Sequence, residues 1–150
     1  MRGARAILAA LVLLVAGGAA YVRLAPDDPA RWHVAPPLAA LETGGATGAV
    51  QEVPGGAAVQ IAAADPAAAL SRLDAIAMAS PRTRRLAGSV AEGRITWVSR
   101  SLIWGFPDYT TAQITPGGLA IHARQRFGAN DWGVNAARLR GWLAQLSLAS

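Results

Sequence analysis

The sequence predicts an α+β fold: an N-terminal transmembrane helix, then a two-layer domain whose mainly antiparallel sheet is covered on one face by two helices. Three observations predict it. Residues 6–22 carry no charge. Residues 65–79 and 139–146 place apolar side chains at helical spacing, and the stretch between Pro81 and Phe127 turns to β-branched and aromatic content. Strands grouped between helices, in the order β-α-β4-α, indicate α+β rather than repeated βαβ units.

The uncharged run "AILAALVLLVAGGAAYV" has 17 residues. As a helix at ~1.5 Å per residue it is about 25 Å long, against a hydrocarbon core of ~30 Å. Arg2 and Arg5 hold its start in the cytoplasm, while Tyr21 and Arg23 suit the far interface and Asp27 and Asp28 follow outside. The expectation is a single pass through the inner (cytoplasmic) membrane, with the globular part extracytoplasmic or periplasmic. A cleaved signal peptide is the competing reading, because Gly17, Gly18, Ala19 and Ala20 are small enough for a peptidase site.

Residues 1–24 thus form the anchor, 25–58 a connector and loop, and 59–150 the globular domain. Four prolines, Pro26, Pro29, Pro36 and Pro37, exclude regular helix from the connector, which Trp32 and Val34 are placed to dock. The Gly/Ala-rich residues 38–58 read as a mobile loop. A short strand is expected at 58–63. Asp65 is the N-cap and Pro66 the first turn of a helix to residue 79, whose stripe holds Leu70, Leu73 and Ala77. Strands follow at 83–90, 94–104, 109–115 and 119–127, the third and fourth as a hairpin over "PGG". With Gly117 and Gly118 as its loop, Ile114 faces Ile121, Thr111 faces Arg124 and Tyr109 faces Arg126. The helices then cover Ile114, Ala112, Leu119, Ile121 and Ala123, leaving Tyr109, Thr111, Gln113, His122, Arg124 and Arg126 on the other face. Leu139, Trp142, Leu143 and Leu146 define the last helix. Trp97, Trp104, Trp132 and Trp142, set among aliphatic neighbours, are expected in the core and at its rim.

Charge narrows the function classes. Of the net +5, residues 25–150 hold 11 arginines against nine acids, or +2, too little for a nucleic-acid footprint. Residues 25–81 carry −4 and residues 82–150 carry +6, so the positive surface lies in the C-terminal half. Without cysteine there is no thiolate chemistry, and His33 and His122 are too isolated for a zinc site, so no metal or cofactor is expected. Candidate binding residues are Arg100, Asp108, His122, Arg124, Arg126, Asp131 and Asn135. Each has a plainer role: Asp131 or Asn130 capping the last helix, Asn135 an inward amide in its first turn, Asp108 a turn carboxylate, and the arginines a solvated face.

"RWHV", "PRTRRLAGS", "WVSRSLIWGFPD" and "ARQRFGANDWGVNAARLRGWLAQL" together resemble the domain of unknown function 1499 family, from about Arg31 to Leu146. The resemblance implies a small exported or membrane-anchored bacterial protein. It carries no activity with it. The chain departs from the family pattern at Tyr109, where a second acid is common, and at Gln125, where a serine often accompanies the strand arginines.

The functional expectation is a membrane-anchored module binding an anionic small molecule, a lipid headgroup or an envelope protein, with Arg100, Arg124 and Arg126 supplying charge. A hydrolase using Asp108 or Asp131 as general base is the alternative, lacking a nucleophile with an adjacent base. A structural envelope component is the third.

Overall fold

The computed structural model describes residues 2–38, 41, 48–128 and 130–148. Helix α1 (Arg2–Leu24) and the one-turn helix α2 (Pro29–Trp32) precede strands β1 (Gln51–Val53) and β2 (Gly56–Ala62). Helix α3 (Pro66–Ala79) leads to β3 (Thr83–Ser89), β4 (Arg94–Arg100), β5 (Pro107–Thr115) and β6 (Gly118–Gln125), and α4 (Val134–Leu148) closes the chain. All strand pairs are antiparallel, in the order β1-β2-β6-β5-β4-β3. The α+β class holds, and strand β1 and the short helix α2 are additions to the order the sequence pattern predicts.

The extra strand corrects the reading of residues 38–58. Val53 and Gly56 close a tight hairpin that adds β1 to the sheet edge. Its three residues are too few to show an alternating pattern. The rest of the stretch read as a mobile loop, residues 39, 40 and 42–47, lies outside the described residues.

Helices α3 and α4 cover one face, as expected. Leu70, Leu73 and Ala77 from α3, with Ala136, Leu139 and Trp142 from α4, pack on Val59, Ile95, Trp97, Ala112, Leu119, Ile121 and Ala123. Each large aliphatic side chain buried here contributes roughly 1.5–3 kcal/mol. Trp97 joins the two helices: its Nε1 donates to Asp74 Oδ1 at 2.8 Å, and its ring meets Trp142 edge-on, centroids 5.7 Å apart. Trp142 Nε1 in turn donates to Ser80 Oγ at 2.8 Å, so both buried indoles keep their polar atom satisfied. Trp104 and Trp132, expected at the rim, are exposed instead.

The hairpin register differs from the expected one by two residues. Thr115 pairs with Gly118, Ile114 with Leu119, Thr111 with His122 and Tyr109 with Arg124. The loop is therefore Pro116-Gly117, where proline fixes the first φ and Gly117 takes φ 86°, as a type II turn requires. A shift of two keeps every side chain on its predicted face.

The second face is not solvent-exposed, which corrects the expectation for its polar residues. The connector lies across it: Trp32 stacks on Tyr109 with ring centroids 4.0 Å apart and planes 7° from parallel. Leu41 covers Ala58 and Ala120 farther along. One turn of helix forms here against the expectation that the prolines exclude it: Pro29 sits in the first turn of α2, where its missing N–H costs nothing, and Asp28 Oδ1 caps α2 by accepting from Ala30 N at 2.9 Å.

Asp65 caps α3 as predicted, accepting from Ala68 N at 2.9 Å. Replacing it tests that assignment: Asp65→Ala is expected to lose about 1 kcal/mol in urea unfolding followed by circular dichroism, and Asp65→Ser only a few tenths. Equal losses in the two variants would show that the cap is not the source.

Candidate functional site

The candidate residues fall into three groups. His122, Arg124 and Arg126 lie under or beside the connector. Arg124 Nη2 donates to the carbonyl of Trp32 at 2.5 Å and its guanidinium sits 5.5 Å from the Trp32 ring centre. Arg126 Nη1 donates to Pro26 O at 2.7 Å. His122 is largely buried, its Nδ1 has no hydrogen-bond partner among the described residues, and burial followed by the Arg124 charge lowers its pKa to about 4. Arg124 and Arg126 thus hold the chain's own N-terminal segment through carbonyls and an aromatic face, while the buried Arg124 Nε has no hydrogen-bond partner among the described residues.

The second group is the corner before α4. Asp131 accepts from Gly133 N at 3.1 Å and Asn135 N at 3.0 Å, and Asn130 Oδ1 accepts from Trp132 N at 2.9 Å. Burial pushes the Asp131 carboxyl up, but these backbone donors outweigh it and hold the pKa below its ordinary value. Asn135 is fully buried, and its Oδ1 accepts from Arg138. Arg138 also donates to Asp108 Oδ2 at 3.0 Å, so one guanidinium links the strand aspartate to the helix amide. Burial and the nearby Asp131 charge raise the Asp108 pKa, with Arg138 opposing them. Asp108, Gln125, Asn130, Asp131, Phe106, Phe127 and Trp132 line a cleft of about 300 Å³. It contains both carboxylates of the hydrolase alternative, one already taken by backbone N–H groups. Among the described residues no cluster of three His, Asp or Glu side chains comes together.

The third group surrounds Arg100 and was largely missed. Asp27, 4% exposed at its side chain, accepts from Tyr109 Oη at 2.5 Å, from Arg84 at 2.6 Å and from Arg100 at 2.8 Å. Burial raises its pKa, but the Tyr109 and Arg100 hydrogen bonds and the two guanidinium charges hold it below the ordinary carboxylate value. Arg82, paired with Arg100 across the strands, takes a left-handed conformation, φ 54°, and its Nε donates to Arg100 O at 3.1 Å. A non-glycine residue held there costs on the order of 1 kcal/mol. Arg82, Arg84 and Arg100, with Thr83 and Ser101, line a cleft of about 420 Å³ at the β3 edge. The arginine density of "PRTRR" was the available signal, since Arg82 precedes β3 in a left-handed conformation that strand alternation does not foresee. Nothing in "APDDPARW" distinguishes Asp27 from its neighbour Asp28.

Helix α1 projects from this end. Gly3–Leu24 is long and apolar enough to cross a membrane or to serve as a signal sequence, and none of its most apolar stretch is buried against the domain.

A family model described as a protein of unknown function (DUF1499) matches residues 33–146. No curated protein and no solved structure matches the chain.

His122 gives a pH test. The unfolded chain takes up its proton near pH 6.5 and the folded one only near 4, so His122 lowers stability progressively as pH falls from 6.5 to 4. The loss reaches on the order of 3 kcal/mol. Unfolding curves of His122→Gln between pH 7 and 4 are expected to be flatter than those of the parent chain. Parallel curves would show that His122 is not buried neutral.

Proposed function

The chain belongs to the DUF1499 family, matched over residues 33–146, and on that premise we propose that it is a single-pass, membrane-anchored module that binds a phosphate-bearing headgroup on the extracytoplasmic side. Arg2 and Arg5 support the orientation. The observation that carries the binding reading is the cleft of Arg82, Arg84 and Arg100, beside the end of α1. Three guanidinium groups against the single carboxylate Asp27 leave a local excess of positive charge, and Thr83 and Ser101 add hydroxyl donors. Planar guanidinium groups suit phosphate oxygens, and each charge-assisted bond contributes roughly 1.5–3 kcal/mol. In this reading Arg100 supplies charge to the ligand, as the sequence led us to expect. Arg124 and Arg126 hold the connector that presents Asp27.

The hydrolase reading rests on the second cleft. Its favourable feature is the raised Asp108 pKa, which brings the carboxylate closer to the basicity a general base needs, and the Arg138 partner and the backbone-bound Asp131 weigh against it.

Titration calorimetry of the full chain in neutral detergent tests the binding reading, using short-chain phosphatidylglycerol and inorganic pyrophosphate as probes and phosphatidylcholine as the reference. Saturable binding of an anionic probe is expected, weakened about tenfold or more in Arg82→Gln with Arg84→Gln and unchanged in Arg72→Gln on exposed α3. Equal affinity in all three proteins, or no binding of either anion, overturns it.

A further inference from the structure

We infer that the loop joining β4 to β5, residues 101–106, inserts into the bilayer surface beside α1, so that the domain rests on lipid through a second contact. The inference rests on the anchor reading, and its inserting residues, Leu102, Ile103 and Trp104, are not those of the binding cleft. Its first support is composition. Leu102, Ile103 and Trp104 are 73%, 69% and 49% exposed, three consecutive large apolar side chains open to their surroundings. Continuous exposure of this kind in a water-facing loop is unfavourable, at about 25 cal/mol per Å² of apolar surface.

The second support is position. Arg23 Nη2 donates to Ile103 O at 2.5 Å, and Arg100 Nη1 reaches both Gly105 O at 3.1 Å and Val22 O at 3.5 Å. A Cβ on Gly105 would lie 2.9 Å from Arg23 Cγ, so the glycine permits the close approach of loop and helix. Tyr21 meets Phe127 edge-on at 6.0 Å, and Phe127 lies 6.1 Å from Phe106. Trp104 and Phe106 share a cleft of about 460 Å³ with Val15, Gly18, Ala19 and Val22. Those helix residues belong to the uncharged run itself. From Val15 to Val22 the helix rises about 10 Å, so a helix that spans the bilayer places Trp104 at the depth of its outer apolar turns.

The third support is that the loop meets the requirement lipid imposes on backbone. Ser101 N donates to Phe106 O at 3.0 Å, Gly105 N to Ser101 O at 3.2 Å, and Phe106 N to Ser101 Oγ at 3.0 Å. With Arg23 and Arg100 on the carbonyls of Ile103 and Gly105, much of the loop's polar backbone is already paired. Arg23, Arg82 and Arg100 flank the apolar tip at the height where lipid phosphates lie, and tryptophan favours the same interface.

The chain has no cysteine, which makes a site-specific test direct. Full-length Ile103→Cys, Leu14→Cys and Ala91→Cys, each labelled with the environment-sensitive fluorophore NBD, are reconstituted in phosphatidylcholine–phosphatidylglycerol vesicles. Leu14 reports on α1, and Ala91 on the β3–β4 turn at the opposite end of the sheet. Blue-shifted emission quenched by doxyl-labelled lipid is expected at positions 14 and 103 but not at 91. Lipid-like emission at 14 with water-like emission at 103 overturns the insertion and leaves the anchor standing. Water-like emission at both removes the anchor reading and the insertion with it. Blue shift at 103 without doxyl quenching means that protein, such as a second copy, covers the loop, and this too overturns the inference.

Discussion

The buried carboxylate of Asp27 is the contact on which the second face of the sheet depends. It accepts from Tyr109, Arg84 and Arg100, which stand on β5, β3 and β4. Three strands are thereby tied to one point on the N-terminal connector. Removing one partner of such a buried group leaves uncompensated charge, which is far more costly than the net contribution of the pair itself. The stack of Trp32 on Tyr109 and the Trp32 carbonyl, which accepts from Thr111 and Arg124, continue the attachment along β5 and β6. His33 Nδ1, 2.9 Å from Thr96 Oγ1, extends it onto β4.

This covering changes how the arginines are understood. A face of Arg124, Arg126 and His122 reads as a binding surface only while the connector is taken for a tether. Once it forms a third layer, Arg124 and Arg126 become its fasteners and His122 a buried neutral ring, and positive surface lies at the β3 edge, around Arg82. The same layer explains why His122 is kept from protonating: burial dominates, and Arg124 adds to it.

Much of the fold was legible because it follows from periodicity. The α3 stripe, the α4 stripe and the two-sided β5–β6 hairpin each repeat over several residues, and a two-residue error in register left the faces unchanged. The cap at Asp65 and the corner at Asp131 were legible for a local reason, since a carboxylate placed before a helix meets free N–H groups. What was not legible is non-local. Strand β1 has three residues and no pattern of its own. The pairing of Asp27 with Arg100 spans 73 positions in sequence, and either residue alone looks like ordinary surface. Arg82 precedes β3 in a left-handed turn, and its convergence with Arg84 and Arg100 needed the β3–β4 pairing.

The order of segments along the chain has a mechanical consequence. Helix, connector and sheet follow one another, and the connector's first buried side chains, Ala25 and Asp27, lie immediately after α1. A force applied through α1 therefore meets that helix's own contacts with the β4–β5 loop and then the Asp27 cluster, and it peels the connector from that end one contact at a time. While Asp27 holds, it passes the load to β3, β4 and β5 at once, so no single strand bears it alone.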